Sequence, residues 1–158
     1  EVFIRPSSPL KSFTGQTISK LRYEEDVERL GFYDVDPSSI VIVSSMKHID
    51  VEWRMIVVDG KVVAGSQYKT GNLTQIREGY PDEVLTFAQQ VADTYRLDDA
   101  YVIDVADINR MLKLIEVNSF SSSGWYLADK MAIVKAASEF AIREYKWYNE
   151  TSKMGIDC

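Results

Sequence analysis

The stretch that most narrows what this chain can fold into runs from 101 to 126, YVIDVADINRMLKLIEVNSFSSSGWY. Two apolar runs, 101–105 and 111–117, flank a short turn at 106–110, so the pattern predicts an antiparallel hairpin with one acid on each strand, Asp104 and Glu116. Asn118 follows two residues after Glu116, and strand alternation puts it on the same face. Three oxygen donors on neighbouring strands suit a hard divalent cation such as Mg2+, which is held by a few such groups together with substrate phosphates and water. The same residues also read as a surface hairpin with solvated acids, and spacing alone leaves both readings open.

Composition sets the outer bounds. A chain of 158 residues, 46% hydrophobic and 27% charged, can bury one packed core, and one globular unit is expected. The net charge of −6, without an extended basic cluster, speaks against a protein that holds nucleic acid through a phosphate-neutralising surface. Cys158 is the only cysteine, so there is no internal disulfide and no paired-cysteine metal site, which fits a reducing, cytoplasmic setting. No run approaches the roughly 20 apolar residues needed to span a bilayer, so no membrane partner is expected. Asn72 and Asn149 match the glycosylation sequon and are read as chance matches. The chain opens on Glu1-Val2-Phe3-Ile4-Arg5 without an initiating Met, and is expected to be a portion of a longer protein.

Upstream of the hairpin the elements follow in short order. Residues 2–5 form an apolar strand stopped by Pro6 and Pro9. The loop at 7–15 carries Lys11, Ser12, Thr14 and Gly15, a composition that serves either as an anion cradle or as an ordinary polar turn. A helix is expected over 23–30, with Val27 and Leu30 as its apolar face and Gly31 as its stop. A turn around Pro37 leads to a buried strand at 40–43 and a second strand at 51–59. Asp59-Gly60 is a strong hairpin signal joining that strand to 61–69. Glu52 and Arg54 share one strand face while Trp53 and Met55 take the other, so the acid and the base belong either to a site or to a cross-strand ion pair. His48 is the only histidine and has no Gly-x-Ser-x-Gly elbow with it, so it reads as a loop residue.

The remainder is punctuated by two helices. Residues 70–80 read as a polar loop in which Arg77 is a candidate contact for an acidic substrate. Pro81-Asp82-Glu83 starts a helix whose face of Val84, Ala88, Val91 and Tyr95, widened by Leu85 and Ala92, is core. After a flexible small-residue loop at 119–124, a second long helix carries Leu127, Met131, Val134, Ala141, Tyr145 and Tyr148 as an apolar stripe, which reads as packing. Asp129 suits its N-terminus as a cap, and the tail at 149–158 is expected to fray.

Three blocks in this order resemble the ATP-grasp superfamily. The first is Phe3-Ile4-Arg5-Pro6 with the Lys11–Gly15 loop, where Arg5 stands in for the lysine usual on that strand, as in a divergent clade found in bacteriophage and bacterial genomes. Arginine keeps the charge and offers a planar, bidentate phosphate contact. The second is the strand at 40–43, then Ser44-Ser45-Met46, Glu52-Trp53-Arg54, the Asp59-Gly60 turn and Lys69. The third is Asp104 with Glu116-Val117-Asn118.

The resemblance implies an α+β fold of mainly antiparallel strands with packed helices, holding ATP between lobes or sheets. It implies Mg2+ on Asp104, Glu116 and Asn118, adenine along Ser44, Ser45 and Met46, and Asp50 or Glu52 near the ribose. Arg5, Lys11, Arg54 and Lys69 would neutralise phosphate charge, with Arg5, Arg54 and Lys69 as the catalytic cations. The implied activity joins a small-molecule or peptide carboxylate to an amine through an acyl phosphate. That chemistry needs no side-chain nucleophile, which accords with the missing Ser/His and Cys/His constellations. Family enzymes place a separate domain before the Arg-Pro strand, so the alternatives are a non-catalytic nucleotide-binding module and one half of a split enzyme. A missing N-terminal domain or a second copy of the chain are the partners this implies. A kinase-like phosphotransferase and an interaction protein that merely shares the hairpins also stay open.

Overall fold

In the computed structural model the described residues are 1–7, 12–31, 36 and 38–153. Where composition predicts one globular unit, the chain forms two compact units, Glu1–Lys47 and His48–Cys158.

The first unit is built on a three-stranded antiparallel sheet in the order β2-β1-β3, from β1 (Val2–Pro6), β2 (Gln16–Ile18) and β3 (Val41–Ser45). Pro6 ends the middle strand, where its missing donor costs least. Ile4, Phe13 and Ile18 form its small core. Gly15 passes so close to the Phe3 ring that a Cβ there would collide with it. Helix α1 (Tyr23–Gly31) follows a 3-10 turn at Lys20–Arg22 in which the Ser19 hydroxyl accepts from the Leu21 N–H. The strand expected as buried lies one residue further on, and its Val41, Ile42 and Val43 are exposed. It is a sheet edge in a unit with few apolar residues to cover it. Lys11 and most of the loop around it, with Pro37, lie outside the described residues.

Asp26 is the buried charge of this unit. Its Oδ2 accepts from the Ser19 N–H at 2.7 Å and its Oδ1 pairs with Arg29. The backbone donor, and then Arg29 with Arg22, hold its carboxyl below the usual 3.8, against the opposing pull of burial. With the folded pKa depressed, its stabilising contribution is fully present above the unfolded value and is lost as pH falls through the folded one. Amide exchange of α1 in the whole chain is expected to accelerate on acidification below about pH 4, and to lose that pH dependence in Asp26→Asn.

The second unit carries a five-stranded antiparallel sheet in the order β6-β5-β4-β7-β8. Its elements are β4 (Val51–Val58), β5 (Lys61–Thr70), β6 (Leu73–Glu78), α2 (Asp82–Thr94), β7 (Ala100–Ile108), β8 (Met111–Ser119) and α3 (Lys130–Lys153). Asp59-Gly60 turns β4 into β5 with φ of 50° and 73°, and Asn109-Arg110 turns β7 into β8 with 55° and 62°. These are the primed turns whose twist matches the flanking strands. The second turn is thus two residues long, not five, and both strands are longer than predicted. Asp50 steadies it by accepting from the Asn109 N–H at 3.2 Å.

Alternation sorts the central strands into two apolar faces. Trp53, Met55 and Val57 join Tyr101, Ile103 and Val105 under Val84, Ala88 and Ala92 of α2. On the opposite face Ile56, Ala64 and Val102 pack with Ala128 and Ile133 at the start of α3. Gly65 admits Met55 and Tyr80 so closely that a Cβ would meet the Met55 sulfur at 2.5 Å. Strand β7 is buried on both sides from Tyr101 to Ala106, and Asp104 is the only charge in that run.

Structure departs from the sequence pattern in several places. Residues 73–78, read as loop, form the edge strand β6, because backbone pairing to β5 needs no apolar side chains. Tyr95 lies past the end of α2 and is exposed; its carbonyl accepts from the Tyr101 hydroxyl at 3.0 Å. The α3 stripe read as packing is exposed at Leu127, Met131, Val134, Ala141, Tyr145 and Tyr148, while Ile133 is the helix's buried anchor. The helix also continues through 149–153, where the sequence predicts fraying. No helix among the described residues is long and apolar enough to cross a membrane.

Candidate functional site

The α3-side face of the second sheet turns polar one row beyond Ile56 and Val102. The register places Ser66, Arg54, Asp104 and Glu116 directly opposite one another across β5, β4, β7 and β8. Asn118 lies in the adjoining row opposite Val102, and Glu52 lies in the row on the other side, opposite Lys69. The hairpin read from the sequence therefore brings Asp104 and Glu116 face to face with Asn118 beside them, and sets Arg54 against Asp104.

Arg54 and Asp104 form a bidentate pair, Nε to Oδ1 at 2.8 Å and Nη2 to Oδ2 at 2.7 Å, with side-chain exposures of 11% and 1%. The guanidinium lies 5.4 Å from the Tyr68 ring centroid and 5.3 Å from that of Tyr126, and the two rings stack at 5.1 Å and 5°. Nη1 also reaches the Gly124 carbonyl at 3.4 Å. The Tyr68 hydroxyl donates to Glu52 Oε2 at 2.5 Å. Lys69 Nζ stands 2.9 Å from Glu52 Oε1 in an ion pair that lacks the alignment of a hydrogen bond.

Burial and neighbouring charge set the electrostatics. Burial by itself would lower the Arg54 pKa, but the hydrogen bonds and charge of Asp104 outweigh it and hold the guanidinium firmly protonated. Burial pushes the Asp104 carboxyl up, Glu116 and Glu52 push the same way, and Arg54 opposes them. The Tyr68 hydroxyl is pushed up by burial, then by Asp104 and Glu52, and so stays a donor.

Such a face fits a hard cation. Two carboxylates and an amide share it, and the mutual repulsion of Asp104, Glu116 and Glu52 is relieved by positive charge. Both Asp104 oxygens bind Arg54, yet each keeps lone-pair capacity for a second partner. Among the described residues no group of three or more His, Cys, Asp or Glu is placed to hold a metal, so the donor set is two carboxylates plus Asn118. The Ser66 hydroxyl is buried in the same row, with no hydrogen-bond partner among the described residues.

Other candidates fall elsewhere. Arg5, on β1 opposite Ile42, is an exposed cation of the first unit. Ser44 and Ser45 end β3 opposite Phe3 and Val2, with Lys47 Nζ donating to Ser45 Oγ at 2.5 Å. Met46 Sδ accepts from the Thr17 hydroxyl at 3.5 Å. His48 is exposed, 3.4 Å from Asp50 Oδ1. Arg77 is exposed on β6, opposite Gln67. Sequence reading missed Tyr68 and Tyr126. Tyr68 is turned onto this face by a bulge between Gln67 and Lys69, and Tyr126 holds a left-handed φ of 49° that an aromatic residue rarely adopts.

Comparison with known proteins agrees with this layout. Residues 1–136 match a family described as an ATP-grasp domain, R-to-K clade, family 2. Among solved structures, the ATP-grasp ligase PsnB complexed with minimal precursor superposes with a TM-score of 0.52 at 14% identity, over 78% of this chain and 40% of that one. PsnB complexed with a phosphomimetic variant of minimal precursor, Mg and ADP gives 0.50 at 15%, over 78% and 37%. At such identities the likeness is one of fold, and the chain spans about two fifths of the ligase's length. No curated protein matches the chain significantly. With an antiparallel α+β architecture and a family match over most of its length, the chain belongs to the ATP-grasp superfamily, in family 2 of the R-to-K clade.

Proposed function

We propose that this chain supplies the metal- and nucleotide-binding part of an ATP-dependent carboxylate–amine ligase. The observation that carries the reading is the cross-strand row Arg54–Asp104–Glu116, flanked by Asn118 on one side and the Glu52–Lys69 pair on the other. Asp104, Glu116 and Asn118 would hold Mg2+, which when bound neutralises charge on the phosphate oxygens. Arg54 is locked by Asp104 and the two tyrosine rings, so its charge is already oriented before any phosphoryl transfer. Lys69 adds a second cation beside Glu52. Arg5, Lys11, Ser44, Ser45, Met46 and Glu52 are assigned to the nucleotide by the family resemblance. The Mg, ADP and precursor bound to the neighbouring ligase support the same classes of ligand here.

In this reading a substrate carboxylate oxygen attacks the γ-phosphorus, and the bond from that phosphorus to the bridging oxygen breaks as ADP leaves. An amine then attacks the acyl carbon, surrenders a proton and expels phosphate. One amide, one ADP and one phosphate result. The substrates would be small-molecule or peptide carboxylates and amines. A cytoplasmic setting, the host's for a phage-encoded chain, follows from the use of ATP and Mg2+.

Calorimetry of ATP binding tests the site. Saturable binding is expected only with Mg2+, weakened at least about tenfold in Glu116→Gln. Absence of binding by the folded chain would overturn the reading. A non-catalytic or split module is the second reading, favoured by the short span relative to the neighbouring ligase. It predicts Mg2+-dependent binding without ADP release for any carboxylate and amine pair.

A further inference from the structure

Helix α3 has two apolar sides, and its own unit uses one of them. Ile133 is fully buried against the sheet, and Arg143, turned away from the second side, ties the helix to the β4–β5 turn through Asp59 at 2.6 Å. The second side carries Met131, Val134, Ser138, Ala141, Tyr145 and Tyr148, every one of them exposed. Met131, Tyr145 and Tyr148 are 76%, 71% and 60% exposed. Their spacing is three, four, three, four and three, the a/d pattern of a helix-pairing seam. Ile142, also exposed, borders it.

We propose that this seam is where a second copy of the chain docks, α3 against α3 in antiparallel orientation. Placing the twofold axis between Ser138 and Ala141 sets each a position opposite a d position of the partner copy. The layers then join Met131 with Tyr148, Val134 with Tyr145, and Ser138 with Ala141, so that large meets smaller at the ends and the two small residues meet at the centre, where the helices approach most closely. Methionine against an aromatic ring is itself a favourable contact.

Charge selects the orientation. The flanking positions carry Lys130 and Lys135 near the N-terminal end, with Glu144 and Asn149 near the C-terminal end. Antiparallel pairing puts Lys130 beside Glu144 of the other copy twice over, Lys135 beside Asn149, and Ile142 beside its own equivalent. Parallel pairing would instead set Lys130 against Lys135 of the other copy, a repulsive arrangement. The seam from 131 to 148 is about 27 Å long, and one helix pair of that length is smaller than a standard stable interface of roughly 800 Å² per partner. A weak, concentration-dependent dimer follows.

Sedimentation velocity of the whole chain from about 1 to about 500 µM, the range suited to a small interface, is expected to show the 18.0 kDa species moving toward twice that mass. Val134→Glu with Tyr145→Glu is expected to hold the chain monomeric. Lys130→Glu and Glu144→Lys are each expected to weaken association about tenfold, and together to restore it. Far-ultraviolet circular dichroism on every variant separates loss of pairing from loss of folding. A wild-type chain monomeric throughout overturns the proposal and leaves the face to a different partner. Single reversals that the double variant does not rescue overturn the antiparallel register.

Discussion

Replacing Arg54 by Met is expected to destabilise the second unit by about 3–5 kcal/mol at pH 7, because it strands a buried carboxylate rather than because it removes a good contact. Asp104 is 1% exposed and lies near Glu116 and Glu52, so without the guanidinium its charge has neither water nor a counter-ion. Urea unfolding followed through the buried Trp53 measures the loss. The pH dependence gives a second signature. Asp104 already has its folded pKa raised, by burial first and then by its acidic neighbours, and losing Arg54 raises it further. A carboxyl with a raised folded pKa stabilises the fold fully below its unfolded value, and that contribution disappears as pH rises through the folded one. The deficit of Arg54→Met is therefore expected to shrink on acidification toward about pH 4. The double variant Arg54→Met/Asp104→Val should recover most of the stability, since a buried ion pair replaced by apolar residues of similar bulk is often neutral. In the proposed function the same double variant loses Mg2+-dependent ATP binding altogether. A single variant as stable as the parent would show that the pair is solvated.

The second large effect is expected on the other side of the same strand. Ile103→Ala removes a fully buried side chain from the β7 layer under α2, with a cost of about 2–5 kcal/mol and a lower urea midpoint at an unchanged slope. Tyr145→Ala on α3 removes a larger apolar side chain that is 71% exposed, and its effect on folding of the dilute chain is expected within about 0.5 kcal/mol. Equal losses for the two would contradict the assignment of β7 as the core strand.

That contrast marks the limit of the sequence. Both residues are apolar at helix- or strand-like spacing, and periodicity reports only that a face is apolar, not what covers it. The α3 stripe reads as packing for this reason, although Ile133, about 100° round the helix from its neighbour Val134, is the residue that packs. The loop reading of 70–80 fails for the complementary reason. Strand β6 is made by backbone pairing at an edge, which leaves little mark on side-chain polarity.

What the sequence by itself determined is local and periodic. The Asp59-Gly60 turn, the hairpin that sets Asp104 opposite Glu116, the shared face of Glu52 and Arg54, and Asp129 as the α3 cap, accepting from the Met131 N–H at 2.9 Å, all follow from turn chemistry and the two-residue repeat of a strand. Tertiary structure alone decided that β4 lies between β5 and β7, which brings Arg54 onto Asp104 from 50 residues away. It also decided that a bulge turns Tyr68 and a left-handed backbone turns Tyr126 to stack beside that pair. Those contacts depend on which strands are neighbours and on one extra residue in the ladder. Neither follows from the order of residues along a single strand.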